Sequence, residues 1–204
     1  MAKIKICGLR RTEDAEYVNT LEPEYCGMIL TPGFKRSITR ETAAEIASGL
    51  DAGIIRVGVF VNDEGAVIEK YVKSGIIQAV QLHGSESPEF ARKLKKALFV
   101  PIIKAVKVTC EEDVLKAADY PADMVLFDNG TGTGESFDRE IFRKAIKKYK
   151  GPEFFIAGGL NPSNVAGALE FDPSGVDVSG GVEKNGSKDF ELMREFIRTV
   201  RSRG

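Results

Sequence analysis

The sequence predicts an α/β protein of one domain, residues 1–204, in which eight parallel strands close into a (βα)8 barrel. Short apolar and β-branched runs alternate with longer segments of helical period, and no series of hairpin turns interrupts them. The strand-like runs are apolar at nearly every position, as expected where helices cover both faces of a parallel sheet. A chain of 204 residues can bury one large core, and no linker-like stretch divides it. An open, doubly wound sheet of eight strands is the alternative that these observations leave open.

The predicted strands are short, because the chain is at the small end for a barrel of this kind. They cover Ile4 to Cys7, Tyr25 to Leu30, Ile54 to Val61, Ile77 to Leu82, Ile102 to Val108, Met124 to Phe127, Phe154 to Ala157 and Gly175 to Val178. The loops between strands and helices must then be short as well, with few insertions.

A helical pattern follows each predicted strand. The helices cover Thr12 to Leu21, Thr39 to Leu50, Asp63 to Ser74, Ser87 to Ala97, Cys110 to Ala118, Asp138 to Tyr149, Pro162 to Phe171 and Lys188 to Arg201. Several carry start signals, since Thr39, Ser87 before Pro88 and Asn161 before Pro162 are residues that favour an N-cap position.

The composition favours a small molecule as the partner. The chain has 29 Lys and Arg residues against 30 Asp and Glu residues, and their interspersed charges leave no basic patch for nucleic acid or a membrane surface. Cys7, Cys26 and Cys110 form no CxxC pair, which argues against a disulfide framework or a zinc site. We therefore expect a cytoplasmic protein without a signal peptide or membrane span, and the sequence leaves monomer and homodimer open.

An apolar run that ends in the carboxylate of Asp128 precedes a loop with Gly130, Gly132 and Gly134 at every second position. Asp128 would stand at the C-terminal end of a strand, where parallel α/β folds keep their chemistry, so it is the first catalytic candidate. The loop lacks the lysine of a P-loop, and its G-x-G-x-G spacing differs from the G-x-G-x-x-G dinucleotide fingerprint. The alternative is that Asp128 only shapes the turn.

Two glycine-rich loops follow the last two predicted strands. Gly158 and Gly159 come after the seventh strand, and Ser179, Gly180 and Gly181 come after the eighth. Barrels of this kind usually bind phosphate there, because glycine lets backbone N–H groups approach an anion closely beside a helix N-terminus. A single loop of this type would be explained by tight-turn geometry, but the pair in this order predicts a phosphorylated substrate.

The strand ends carry an ordered set of motifs: Lys5-Ile6-Cys7-Gly8-Leu9, Val57-Gly58-Val59-Phe60-Val61-Asn62, Val80-Gln81-Leu82-His83-Gly84, Phe127-Asp128 with Gly130-Thr131-Gly132-Thr133-Gly134 and Phe137-Asp138, Ile156-Ala157-Gly158-Gly159-Leu160-Asn161-Pro162 and Val176-Asp177-Val178-Ser179-Gly180-Gly181-Val182-Glu183. As a set, these motifs resemble those of the phosphoribosylanthranilate isomerase family, a (βα)8 TIM barrel of tryptophan biosynthesis. One departure follows the second strand, where the family often has Ser-Pro-Arg or Ser-Lys-Arg and this chain has Phe34-Lys35-Arg36. Because the arginine is kept, we expect the positive charge of that pocket wall, whereas the sequence does not predict its shape.

The resemblance implies the conversion of N-(5-phosphoribosyl)anthranilate to 1-(2-carboxyphenylamino)-1-deoxyribulose 5-phosphate, an Amadori rearrangement that needs neither metal nor cofactor. It implies that Asp128 is the general acid at the ribose ring oxygen and that Cys7 is the general base that removes the C2 proton. Arg36 would pair with the anthranilate carboxylate. The other implied positions are phosphate-binding Gly158, Gly159, Ser179, Gly180 and Gly181, and substrate-lining His83, Asn62 and Gly130.

The acid role of Asp128 and the base role of Cys7 require surroundings that favour opposite protonation states. Asp128 must be protonated when it acts, so we expect burial in the occupied site to favour its acid form. Cys7 must act as a thiolate, so we expect nearby positive charge to bring its pKa toward neutrality.

Other interpretations stay open at this stage. Taken alone, Cys7 is explained as a buried packing residue and Arg36 as a solvated surface residue, while His83, the only histidine, could be structural, substrate-lining or catalytic. Another phosphosugar barrel is a second enzymatic hypothesis. A single histidine argues against a metal-dependent epimerase, and Cys7 argues against the histidine-pathway isomerase, which by resemblance uses paired aspartates. A catalytically silent phosphosugar-binding barrel is the alternative from a different class.

Overall fold

The computed structural model describes residues 1–128 and 139–203. Eight of its strands are parallel and lie side by side in chain order: β1 Lys3–Cys7, β2 Tyr25–Ile29, β3 Ile55–Phe60, β4 Ala79–Leu82, β5 Ile102–Lys107, β6 Met124–Asp128, β7 Glu153–Ala157 and β8 Gly175–Val178. β8 also pairs with β1, with Lys5 opposite Asp177 in the register, and closes the sheet. This closure confirms the predicted (βα)8 barrel and excludes the open doubly wound sheet.

Helices alternate with these strands and pack around the barrel through a shared apolar core. They are α1 Thr12–Leu21, α2 Arg40–Gly49, α3 Gly65–Lys73, α4 Pro88–Leu98, α5 Glu111–Ala117, α6 Arg139–Ile146, α7 Val165–Ala168 with a 3₁₀ turn at Leu169–Phe171, and α8 Phe190–Arg201. Two predicted N-caps are confirmed, because Thr39 Oγ1 accepts a hydrogen bond from Thr42 N and Ser87 Oγ accepts one from Phe90 N. Within the described ranges, no helix is both long and apolar enough to cross a membrane.

The predicted helix start at Pro162 is wrong, because the helix after β7 begins at Val165. The Asn161 side chain accepts hydrogen bonds from Ser163 N and Asn164 N and so forms a local turn instead of capping a helix. Asparagine before proline is therefore a turn signal at this position.

The last predicted helix also starts too early, because Lys188 belongs to a hairpin formed by β9 Glu183–Lys184 and β10 Ser187–Lys188. The hairpin turn contains Asn185 at φ 52° and Gly186 at φ 78°. Asn-Gly is the dipeptide that favours such a turn, so the sequence did contain the signal. Helix α8 begins only after this hairpin.

The strand side chains divide between two layers, because successive side chains point to opposite faces of the sheet. One layer lies between the sheet and the helices. The other fills the barrel interior and contains an apolar cluster of Val57, Ala79, Ile103, Ala105, Met124, Leu126, Phe155 and Ala157. Buried Lys5, Gln81 and Asp177 add polar groups on β1, β4 and β8. The interior thus becomes polar toward the strand ends that the predicted chemistry needs.

Candidate active site

A cavity of about 800 Å³ opens at the C-terminal end of the barrel strands. Its lining includes most of the predicted site residues, namely Arg36, His83, Asp128, Gly158, Gly159, Ser179, Gly180 and Gly181. They follow β2, β4, β6, β7 and β8, so folding brings together positions that are far apart in the chain. These eight predicted candidates therefore share one concave site.

Cys7 lies next to this cavity, between the loops that follow β2 and β8. It is buried, with 6% of its surface exposed, and its neighbour Gly8 packs against two residues of the cavity wall. A Cβ at Gly8 would lie 2.7 Å from Arg36 Cδ and 3.0 Å from Ser179 Oγ. Because Gly8 also has a φ of 81°, a side chain there would strain the backbone beside the thiol.

Asn62 orders a loop beside the site instead of lining the cavity. Its Oδ1 atom accepts hydrogen bonds from Ser85 N and Ser85 Oγ, which ties the loop after β3 to the loop after β4. Its φ of 57° is one that asparagine adopts more readily than most residues. Gly130, another predicted substrate-lining residue, lies outside the residues that the structure describes.

The two glycine-rich loops pack directly against each other. Gly158 and Gly159 have φ angles of 89° and 65°, a left-handed conformation that favours glycine. A Cβ at Gly181 would lie 1.8 Å from the carbonyl oxygen of Leu160, so a larger residue does not fit without moving the loop. Ser179 Oγ is buried and has no hydrogen-bond partner among the described residues. A buried hydroxyl in this position is available to a ligand.

A buried ion pair lies beside Cys7. Lys5 Nζ is 2.9 Å from Asp177 Oδ1, both side chains are almost fully buried, and Asp177 also lines the cavity. Burial opposes the charge of Lys5, but the negative charges of Asp177 and of an ionised Cys7 outweigh burial and raise the pKa of the lysine. Lys5 is therefore a protonated cation next to the thiol.

The pKa of Cys7 is raised, which differs from the expected shift toward neutrality. Burial is the main cause and the negative charge of Asp177 adds to it, whereas Lys5 and Lys188 lower the pKa. The expected positive charge is thus present beside Cys7, but burial raises the pKa of the thiol by more than this charge lowers it.

Arg36 forms a two-pronged ion pair with Glu183 in the cavity wall, with Nε 2.6 Å from Oε1 and Nη2 2.8 Å from Oε2. Lys188 Nζ donates to Glu183 Oε1 at 3.0 Å and to the carbonyl oxygen of Ser179 at 2.9 Å. Burial acts to raise the pKa of Glu183, but Arg36 and Lys188 together lower it to about 2. Glu183 therefore stays ionised and holds both cations beside the loop after β8.

Across the barrel, His83 Nε2 lies 3.6 Å from Asp128 Oδ2. Gln81 Nε2 donates a hydrogen bond to His83 Nδ1 over 2.9 Å. Because an amide nitrogen only donates, this bond places the proton of the neutral imidazole on Nε2, facing Asp128. Burial lowers the pKa of His83, although the charge of Asp128 acts in the opposite direction. The residue beside Asp128 is thus a neutral imidazole near pH 7.

Four charged residues around the site have no counterpart among the predicted ones: Lys5, Asp177, Glu183 and Lys188. Lys5 and Asp177 interrupt otherwise apolar strand runs, and Lys5 shares a strand face with Cys7, so the strand alternation was a usable signal. For Glu183 and Lys188 the signal was the Asn-Gly turn that pairs them. Among residues 1–128 and 139–203, no group of three or more His, Cys, Asp and Glu side chains is arranged to hold a metal ion.

Sequence and structure comparisons point to one family. The family model described as N-(5'phosphoribosyl)anthranilate (PRA) isomerase matches residues 4–199. The N-(5'-phosphoribosyl)anthranilate isomerase of Endomicrobium trichonymphae is 41% identical over 208 residues, which cover 99% of this chain and 100% of the relative. The crystal structure of phosphoribosyl anthranilate isomerase from Thermotoga maritima is similar with a TM-score of 0.90 at 35% identity, over 99% of this chain and 100% of that one. A phosphoribosyl anthranilate isomerase in complex with reduced 1-(o-carboxyphenylamino)-1-deoxyribulose 5-phosphate has a TM-score of 0.87 at 34% identity, over the same shares.

Proposed function

The chain belongs to the N-(5'-phosphoribosyl)anthranilate isomerase family, and we propose that Cys7 and Asp128 carry the two proton transfers of its reaction. The enzyme isomerises N-(5-phosphoribosyl)anthranilate to 1-(2-carboxyphenylamino)-1-deoxyribulose 5-phosphate in tryptophan biosynthesis. The observation that carries the assignment is the shared cavity, in which Asp128 and two glycine-rich loops meet next to Cys7. A thiol, a carboxylic acid and an anion site are the groups that this rearrangement needs.

Asp128 acts first, as the general acid. It gives its proton to the ribose ring oxygen, and the C1–O bond breaks to leave an open-chain protonated Schiff base. The Cys7 thiolate then removes the C2 proton, and the electron pair of that C–H bond forms the enolamine, which tautomerises to the ketone. Asp128 ends the cycle deprotonated and Cys7 protonated, and proton exchange with solvent restores both. The Schiff base is the electron sink, so this sequence requires no metal or cofactor.

The phosphate group binds between the loops after β7 and β8. Backbone N–H groups at Gly158, Gly159, Gly180 and Gly181 can approach an anion closely because no side chain stands in the way. Ser179 Oγ, which has no partner among the described residues, supplies a further donor. Lys188 lies behind this loop and adds positive charge that favours a dianion.

Arg36 binds the anthranilate carboxylate with the part of its guanidinium group that Glu183 leaves open. Glu183 uses Nε and one hydrogen of Nη2, so both hydrogens of Nη1 and the second of Nη2 can reach another carboxylate. The two anions do not compete for the same N–H groups. Glu183 fixes the plane of the guanidinium group, and the substrate uses its other edge.

Turnover of the native protein and two variants tests the acid and base assignments. Conversion of phosphoribosylanthranilate is followed by the loss of anthranilate fluorescence in native protein, Cys7→Ser and Asp128→Asn. We expect each substitution to lower kcat by about 100-fold or more, the usual range for loss of a general acid or base. Cys110→Ser and Asp172→Asn, which change an exposed cysteine and an exposed aspartate, are the matched controls and should retain native turnover. Near-native rates in both site variants would overturn the assignment.

A further inference from the structure

Lys5 and Cys7 lie on the same face of β1, and both side chains reach the position of Gly27 in the neighbouring strand β2. In the sheet register Cys7 stands opposite Gly27 of β2, and Lys5 stands opposite Asp177 of β8. A Cβ at Gly27 would lie 2.8 Å from Cys7 Sγ and 3.1 Å from Lys5 Nζ. The missing side chain of Gly27 therefore makes room for the thiol and the ammonium group side by side.

From this geometry we propose that Lys5 is a positioning residue that supplies the counter-charge for the Cys7 thiolate, and that Asp177 opposes it. The proposal rests on the assignment of Cys7 as the general base. A buried thiol is reluctant to ionise, since burial penalises the charged form. A buried lysine that is already charged offsets this penalty when it forms an ion pair with the thiolate.

Lys5 is the cation best placed for this role among the charged groups that face Cys7. Arg36, from the loop after β2, and Lys188, from β10, share the carboxylate of Glu183, and both place their charged groups against it. Cys26, the other titratable group nearby on β2, faces the helical layer, and burial raises its pKa to about 12. Lys5 has one carboxylate partner, Asp177, and contacts the thiol directly.

Asp177 gives the arrangement a second property, because its charge acts on Cys7 with the opposite sign. It keeps Lys5 charged in the barrel interior, where an unpaired ammonium group is costly, and at the same time it disfavours a second anion next to it. When Cys7 takes the substrate proton, the thiolate charge disappears and Lys5 pairs with Asp177 alone. Asp177 therefore keeps the Lys5 ammonium group in place both when Cys7 is a thiolate and when it is protonated.

The test is the pH at which Cys7 becomes reactive in the free enzyme. Each variant is treated with iodoacetamide over a range of pH, and modification of the Cys7 peptide is measured by mass spectrometry, with exposed Cys110 as the internal reference. We expect the Cys7 midpoint to rise by about one to three pH units in Lys5→Met, the usual effect of losing an opposite charge at close range. We expect it to fall in Asp177→Asn, and Lys5→Arg should stay near the native midpoint.

Lys3→Met is the matched control, because Lys3 belongs to the same strand but is solvent-exposed and pairs with Glu153. It should leave the midpoint unchanged. Unchanged midpoints in folded Lys5→Met, or shifts of the same sign in Lys5→Met and Asp177→Asn, would show that the pair is only structural and overturn the proposal. Should Lys5→Met fail to fold, Asp177→Asn decides alone, with a lower midpoint as support and an equal or higher midpoint as refutation. The turnover of Cys7→Ser tests the base assignment itself, so the two failures are distinguishable.

Discussion

The two sides of the active site carry charge in different ways. The wall next to the proposed base Cys7, which we call the base wall, is formed by β1, β8, the loop after β2 and the β9–β10 hairpin. It contains three ion pairs, between Lys5 and Asp177, Arg36 and Glu183, and Lys188 and Glu183. The acid wall, formed by β4 and β6, presents His83 and Asp128 to the cavity, with 3.6 Å between the nearest ring nitrogen and carboxylate oxygen.

This difference suits the two proton transfers that we propose for Cys7 and Asp128. On the base wall, Glu183 and Lys5 keep their charges across neutral pH, since the pKa of Glu183 is about 2 and that of Lys5 is raised, and a fixed cation stabilises a thiolate. On the acid wall, burial lowers the pKa of His83, so Asp128 faces a neutral imidazole. The two walls thus differ in the charge that they place beside the proposed base and beside the proposed acid.

The largest effect is expected where the base wall is packed most tightly. In Gly181→Ala, the new methyl group would overlap the carbonyl oxygen of Leu160, which is 1.8 Å from the Cβ position, so the loop after β8 must move. We expect kcat/KM to fall by about 100-fold, because displacements near 1 Å can cost this much. Gly53→Ala is the control, since no atom lies within 4 Å of its Cβ position. Native kcat/KM in folded Gly181→Ala would show that the loop proposed to bind phosphate tolerates displacement.

Removing the central anion of the base wall should have the next largest effect. In Glu183→Gln, Arg36 loses the partner that sets its plane, so we expect KM to rise by about tenfold with a smaller change in kcat. The loss of a mostly buried partner should also lower the free energy of unfolding by about 3 kcal/mol. Glu153→Gln, which removes an exposed partner of Lys3, is the control. An unchanged KM would mean that Arg36 is held without Glu183.

The ion pair between Arg36 and Glu183 also makes the stability of the protein depend on pH in the acid range. The pKa of Glu183 is lowered from 4.5 to about 2 in the folded protein, so its stabilising contribution is complete above pH 4.5 and is lost as the pH falls toward 2. The difference in unfolding free energy between native protein and Glu183→Gln should therefore shrink over this window. Urea unfolding at successive pH values measures this difference in unfolding free energy. If the difference stays constant down to pH 2, the ion pair does not contribute to stability.

Much of this site follows from the sequence, because the residues after each strand of a closed barrel meet at one end. Apolar runs ending in Cys7, His83 and Asp128 were enough to place these side chains near the cavity, and the glycine pairs identified the loops after β7 and β8. Strand alternation and barrel topology carry this part of the prediction. The prediction of substrate-lining residues is wrong at Asn62, whose side chain accepts a hydrogen bond from the neighbouring loop.

The ion-pair partners of Lys5 and Arg36 could not be predicted, because each partner lies in a distant part of the chain. Lys5 and Asp177 are 172 positions apart, and Arg36 and Glu183 are 147 apart. A lysine in a short strand resembles a half-exposed position until β8 closes the barrel against β1. The sequence pattern predicts that Lys188 starts a helix, whereas in the structure it pairs with Glu183 in a hairpin. The ionic part of the site is therefore a product of tertiary structure.

The smallest effect is expected on the acid wall, from His83→Gln. A neutral imidazole whose Nε2 is 3.6 Å from the carboxylate orients Asp128 but has no charge to contribute, so we expect kcat/KM to fall by less than about tenfold. Gln81→Leu, which removes the bond that fixes the ring tautomer, should cause a similar small loss. The measurement is kcat/KM between pH 6 and 8, compared with Asp128→Asn. A loss in His83→Gln as large as that in Asp128→Asn would make the imidazole part of the acid itself, and the proposed acid would then depend on a titrating neighbour, unlike the proposed base beside the permanently charged Lys5.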